Sequence, residues 1–478
     1  MHSTDRTVRP LADRIKRVEE NLILPRLLES QDFPRAPLAS RMVAHDTPGV
    51  SIAVIDRGRI EWARGYGVRE VGHHDPVTTA TLFQACSISK PVCAMAALRL
   101  ADQGHLDLDE DINHYLRSWK VPANGAWQPR VTIRQIVSHS AGLTMHGFYG
   151  YHRSRPWPTT VQVLDGQPPA NSEPIRVDII PGFHFRYSGG GFVVLQQLLM
   201  DVTGMPFTDL MRDLVLEPLG MHHSTFAQPL PPEQWAMAAS GHLIGGAMLD
   251  GQWHVYPEQG AGGLWTTATD LARFASSLGR ALVGEPHPVL SRHMIVAMLT
   301  PQPGSGAGLG LALHGAGPDL RCSHTGSNRG YKCMLIAYPE RGQGAVVMTN
   351  AEQGWDLGEE LLLSIAAEYG WPRRPDYKWQ STLPPARLSV EMDPAVLSRY
   401  SGTYQLEDAR TVAVSVEEGR LWLRPPEQPA LPLDALAEAE YAANATNTIV
   451  AFTTDSTGAA MALHLTQNDK QLEAIKVS

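Results

Sequence analysis

Four cysteines in 478 residues are too few for a disulfide framework, so Cys86, Cys93, Cys322 and Cys333 read as the reduced thiols of a cytoplasmic protein. No apolar run approaches the ~18 residues that span a bilayer, and the polar start "MHSTDRTVRPLADRIKRVEE" contains no apolar export segment. The expectation is therefore a cytoplasmic location with no membrane partner. A basic stripe is missing too: 40 Lys and Arg stand against 49 Asp and Glu, a formal net charge of -9, which argues against nucleic acid.

Several chemistries are excluded in the same way. There is no H-E-x-x-H, and the pairs His73-His74 and His222-His223 lack the spacing of metal ligands. The acidic run at 107–111 mimics a calcium loop, but Ile112 and Ser118 stand where glycine and glutamate are required. "GSGAGLGL" at 304–311 fails the dinucleotide spacing and opens no helix. No G-x-S-x-G occurs, which argues against an α/β-hydrolase. Neither a metal nor an organic cofactor is expected.

What is present is an ordinary globular composition, 43% hydrophobic and 19% charged, with length for about three structural units. Residues 49–69 alternate apolar and polar around "DRGR", as a β-hairpin does. A helix with one apolar face is predicted from Ser87 to about Gln103, and another over 131–143 with Thr132 as N-cap and Gly142 as the stop. Residues 144–185 read as a long loop rich in proline and aromatics, whose segment "MHGFYGYHRSRPW" is suited to shaping a pocket. Helices are predicted again at "GFVVLQQLLMDVTG", "PFTDLMRDLVLEPLG" and after Thr267 or Thr269. "YKCMLIAYPE" and "GAVVMTNA" form a second hairpin, followed by a helix at about 355–369. The expected organisation is one domain over 1–370, a Pro-rich linker over 371–388, and a β-barrel domain over 389–478 built of short alternating strands.

Three stretches carry chemistry. In "QACSISKPVCA", Ser87 and Lys90 lie one helical turn apart where a helix begins, so the amine can reach the hydroxyl. Helix-start amides there favour a developing oxyanion. In "FRYSGGGF", Tyr187 precedes three glycines, and a phenolate near a lysine ammonium would serve as a general base. In "CSHTGSNRGY", His324, Thr325 and Gly326 precede Ser327 at what should be a sheet edge, where a backbone N–H can complete an oxyanion hole. Each stretch alone has a plainer meaning: a capping serine with a surface lysine, a packed tyrosine, a polar turn. Cys86 reads as a buried thiol rather than a rival nucleophile.

Together, Ser-x-x-Lys, Tyr-x-x about a hundred residues later, and His-Thr-Gly before a late strand resemble the serine β-lactamase and penicillin-binding protein superfamily, in its class C β-lactamase branch. That branch also holds carboxylesterases, D-aminopeptidases and D-Ala-D-Ala carboxypeptidases. The resemblance covers about residues 35–370 and implies an α/β (α+β) fold: an antiparallel sheet flanked by helices, a mostly helical subdomain, and a small C-terminal lipocalin-like barrel. It further implies Ser87 as the acylated nucleophile, Lys90 as proton relay and Tyr187 as base. The amides of Ser87 and Ser327 would form the oxyanion hole. His324, Thr325, Gly326, Gly189 and Tyr149 would contact substrate.

Two positions depart from the pattern. Gly189 stands where the branch commonly has an asparagine that holds an acylamino side chain, and His324 stands where it has a lysine that anchors a carboxylate. The expected activity is therefore cleavage of a small-molecule ester or amide through an acyl-enzyme. β-Lactam hydrolysis or D-Ala-D-Ala carboxypeptidase/D-aminopeptidase activity is the alternative, and a non-catalytic binding module the second. Whether the chain forms a homo-oligomer is left open.

Overall fold

The computed structural model describes residues 10–24, 35–124, 128–179, 181–182, 185–372, 389–406, 411–424, 430–443, 448–467 and 470–478. Of the Pro-rich stretch 371–388, residues 373–388 lie outside the described residues. Two compact units emerge, one within 10–22 and 37–371, the other within 23–24, 35–36, 372 and 389–478. Among the described residues, no helix is long and apolar enough to cross a membrane.

The first unit is built on a six-stranded antiparallel sheet. Its strands are β1 (Gly49–Asp56), β2 (Arg59–Gly67), β3 (Ala312–His314), β4 (Arg321–Asn328), β5 (Tyr331–Tyr338) and β6 (Gln343–Thr349), in the order β2-β1-β6-β5-β4-β3. The two expected hairpins, one from alternation and one from paired apolar runs, are β1–β2 and β5–β6. The central strands β1, β5 and β6 are buried on both faces, as the apolar runs of β5 and β6 reflect. The helix Ala268–Leu282, capped by Thr267, and the helix Gly354–Tyr369 pack against this sheet.

Strand β4 was not recognisable as a strand, because "RCSHTGSN" is polar and has a glycine in its interior. It pairs with β5 along its whole length but with β3 only at Arg321–Ser323. His324–Asn328 therefore form a free edge among the described residues, as the expected position of Ser327 requires.

The helices beside that edge are α1 (Ser89–Asp102) and α2 (Gly189–Thr203). Helix α1 differs from the expectation of one apolar face: Ser89 through Leu98 are all buried. It runs through the middle of the main core, and its alanines let neighbours close in from several sides. The helix predicted over 131–143 is shorter, Ile133–Val137. Thr132 and Gln135 cap it reciprocally, and His139, at a φ of 58°, turns the chain out before Gly142 is reached. The stretch read as a loop over 144–185 contains a two-residue strand, Tyr151–His152, paired with His254–Val255, and a helix, Thr160–Asp165, with its own Thr159–Gln162 capping box.

In the second unit, eight antiparallel strands between Gly402 and Lys476 close into a barrel. Val412, Val414, Leu421 and Leu423 face inward, as their alternation implied. Aromatic rings fill the centre: Tyr400 stacks on Phe452 at 4.6 Å, and Tyr404 and Tyr441 pack against the same ring. Such an interior is a core of the kind small barrels have.

Candidate active site

The site is built where three segments meet. Residues Cys86–Ile88 form a single 3-10 turn ahead of α1, entered through a left-handed Cys86 (φ 54°). A non-glycine residue held there is the kind of strain that a packed surrounding must maintain. The Ser87 amide lies in the first turn, where a backbone N–H has no intrahelical acceptor. Lys90 follows one turn later. Its ammonium donates to Ser87 Oγ at 3.0 Å and to the Ala261 carbonyl at 2.7 Å. Only 1% of Lys90 is exposed, and among the described residues it has no carboxylate partner.

The Ala261 carbonyl is itself held in place. Ser89 Oγ donates to the Cys86 carbonyl at 2.6 Å and accepts from the Leu264 amide at 3.0 Å. From β4, the Asn328 side-chain amide donates to Gln84 Oε1 at 2.8 Å and to the Gly262 carbonyl at 3.1 Å. The turn that receives the lysine is thus tied to both the nucleophile segment and the sheet.

Strand β4 approaches that segment through Gly326. A Cβ at Gly326 would lie 2.4 Å from the Ala85 carbonyl, 2.8 Å from Cys86 Cβ and 3.2 Å from the Ser87 nitrogen. Only a residue without a side chain lets β4 come this close. Ser327 follows directly on the free edge, so the two amides nominated from the sequence flank one junction.

Tyr187 closes the other side, its ring centroid 5.1 Å from Lys90 Nζ. Histidines pack around it. His139 stacks on the Tyr187 ring at 4.4 Å, His146 tilts against it at 4.7 Å, and His324 sits at 6.1 Å. The Ser188 N–H donates to His139 Nδ1 at 3.1 Å, which leaves the proton on Nε2, a buried atom without a partner among the described residues. Burial, and then the Lys90 charge, hold His139 well below the usual histidine range.

His324 is neutral for the same reasons. Burial first, then the nearby Lys90 charge, push it down to about 3, against the opposing hydrogen bond to the Thr325 carbonyl. A carbonyl can only accept, so the 2.7 Å contact places the proton on Nδ1 and leaves Nε2 as a bare acceptor. Buried at 9% exposure, His324 carries no charge near neutral pH.

The remaining sequence candidates are less central. Thr325 supplies the carbonyl that fixes the His324 tautomer. Gly189 opens α2 and is buried. The Tyr149 side chain is 76% exposed, and no hydrogen bond or ring contact joins it to Ser87, Lys90 or Tyr187. Its carbonyl, not its phenol, is engaged, accepting from His254 Nδ1 at 3.0 Å. Cys86 is buried and donates to the Gln84 carbonyl at 3.2 Å, an oxygen that Cys333 shares at 3.2 Å. Ser89, His139, Ala261 and Asn328 carried no sequence signal, since their parts are played by hydrogen bonds, ring packing or a carbonyl that no spacing rule marks.

Two predictions follow from this geometry. Gly326→Ala should leave the circular dichroism spectrum intact yet cut kcat on an activated ester by ~10²-fold or more, because β4 must retreat from the Ser87 amide; an unchanged kcat would mean that the close approach is immaterial. His324 binds its proton only in the unfolded chain over the window from about pH 6.5 down to about 3, so its contribution is complete above 6.5 and is lost as the pH falls. Between pH 7 and 5 that loss is about 2 kcal/mol. Urea unfolding of His324→Gln should lack this part of the acid destabilisation of the wild type, and equal losses in both proteins would contradict the burial account.

Comparison with known proteins agrees with this architecture. Residues 34–367 match the Beta-lactamase family, and residues 386–477 match a domain of unknown function, DUF3471. The penicillin-binding protein 4* of Bacillus subtilis (strain 168) is 24% identical over 460 residues, covering 90% of this chain and 95% of that protein. Among solved structures, the octameric penicillin-binding protein homologue from Pyrococcus abyssi superposes with a TM-score of 0.62 at 21% identity, over 92% of this chain and 98% of that one. A class C β-lactamase gives 0.54 at 21% identity, over 69% and 93%. With the family matched over most of its length, the chain belongs to the Beta-lactamase family of serine hydrolases related to penicillin-binding proteins.

Proposed function

We propose that the protein hydrolyses small neutral esters, and related amides, through an acyl-enzyme on Ser87. One observation carries the choice of substrate: the buried, uncharged His324 at the position where the branch has a carboxylate-anchoring lysine. A neutral imidazole gives little Coulombic attraction to a carboxylate.

In the proposed reaction Ser87 Oγ attacks the acyl carbon while Lys90 passes one of its protons to Tyr187 and takes that of Ser87 in its place. The amides of Ser87 and Ser327 receive the charge that develops on the carbonyl oxygen. The leaving alcohol takes the proton back, and a water attacks the acyl-enzyme by the reverse proton path. The Lys90–Ser87 contact of 3.0 Å supports the first transfer, and the Tyr187 ring, its centroid 5.1 Å from Lys90 Nζ, supports the place of the tyrosine next to the lysine. A second reading, hydrolysis of β-lactams or of D-amino-acid peptides, draws support from the penicillin-binding relatives and from the intact Ser87, Lys90, Tyr187, Thr325 and Gly326.

The test is a side-by-side assay on short-chain p-nitrophenyl esters, a D-amino-acid anilide and nitrocefin. Ester turnover should dominate, and Ser87→Ala and Tyr187→Phe should each lose ~10³-fold or more. Lys90→Arg should fail as well, since a guanidinium keeps its proton at working pH. Faster nitrocefin or anilide turnover would favour the second reading. Silence on all three substrates, with no adduct from a fluorophosphonate probe, would leave a binding module.

A further inference from the structure

Gly189 does not leave an open notch where the branch carries its asparagine. Residues Thr144–Phe148 fold back over the start of α2 and close it. The Ser188 hydroxyl donates to the Thr144 carbonyl at 2.8 Å, the Gly190 amide to Met145 at 3.0 Å, and the Gly189 amide to His146 at 3.1 Å. A Cβ on Gly189 would stand 3.0 Å from the His146 carbonyl and 3.2 Å from Cε2 of Phe148. The ring edge of Phe148 therefore occupies the room that a side chain at 189 would need.

This substitution changes the chemistry of the flank beside Tyr187. An asparagine would offer an NH2 group with two donors and a carbonyl acceptor, whereas the Phe148 edge offers neither. Phe185 lies edge-on to His139 at 5.7 Å and is half-exposed, and the imidazole of His139 is uncharged. A substrate amide placed against the ring edge of Phe148 loses its hydrogen bonds to water and gains none from that edge, a cost of about ten-fold or more in rate. Each methylene placed there gains about four-fold.

We propose that Phe148 is a specificity-determining residue that sets the acyl class: the enzyme takes simple alkanoyl groups and discriminates against acyl groups that carry an α-amide. The inference rests on the ester-hydrolase reading above and adds the acyl side of the substrate to it.

The experiment compares kcat/KM, each corrected for hydroxide-catalysed reactivity, on p-nitrophenyl acetate, butanoate and hexanoate and on the p-nitrophenyl ester of N-acetylglycine. The wild type should gain about four-fold per methylene from acetate to butanoate and lag at least ten-fold on the N-acetylglycyl ester. Phe148→Ala should flatten the butanoate-to-acetate ratio, while Phe148→Leu, which keeps an apolar wall, should retain it. Phe148→Ala/Gly189→Asn should raise the N-acetylglycyl-to-acetate ratio ten-fold or more. If Phe148→Ala lowers every ester by one common factor, or if the wild type already favours the N-acetylglycyl ester, the role given to Phe148 is wrong. If Ser87→Ala leaves all ester turnover in place, it is the hydrolase reading that has failed.

Discussion

The close approach of β4 to the nucleophile turn is the contact on which the rest of the site depends. Gly326 permits it, and a single methyl group there would collide with the Ala85 carbonyl. Once the strand is seated, Asn328 reaches the Gly262 carbonyl and so orients the turn that receives Lys90. The same seating puts His324 against Tyr187 and leaves the strand edge free beyond Ser323.

The electrostatics of the site are set by one buried cation. Lys90 is held by a hydroxyl and a carbonyl, with no carboxylate among its described neighbours. Burial first, and then the Lys90 charge, hold His139, His146 and His324 below the usual histidine range. The imidazoles thus serve as neutral walls and fixed hydrogen-bond partners around Tyr187. Such a site stabilises negative charge that appears at the reacting atoms.

Much of this was legible in the sequence, for identifiable reasons. Ser87 and Lys90 are joined by helical spacing, and the capping of the helix after Thr132 follows from local side chains. The barrel strands announced themselves by alternation. Strand β4 did not, because its residues are chosen for the site rather than for β propensity. The neutrality of His324 depends on burial by segments distant in sequence, and so does the closing of Gly189 by Phe148. Ala261 contributes a carbonyl, which no side-chain pattern encodes. Tyr149 was singled out with its aromatic loop, yet it is the neighbouring Phe148 that meets α2.

The central claim is that a neutral ester acylates Ser87. Rapid-quench mass spectrometry during turnover of p-nitrophenyl butanoate tests it most directly. The account predicts a transient increase by one butanoyl group, mapped to the peptide that contains Ser87, together with release of p-nitrophenol. Turnover without any acylated species, or with the acyl group on another residue, would contradict it.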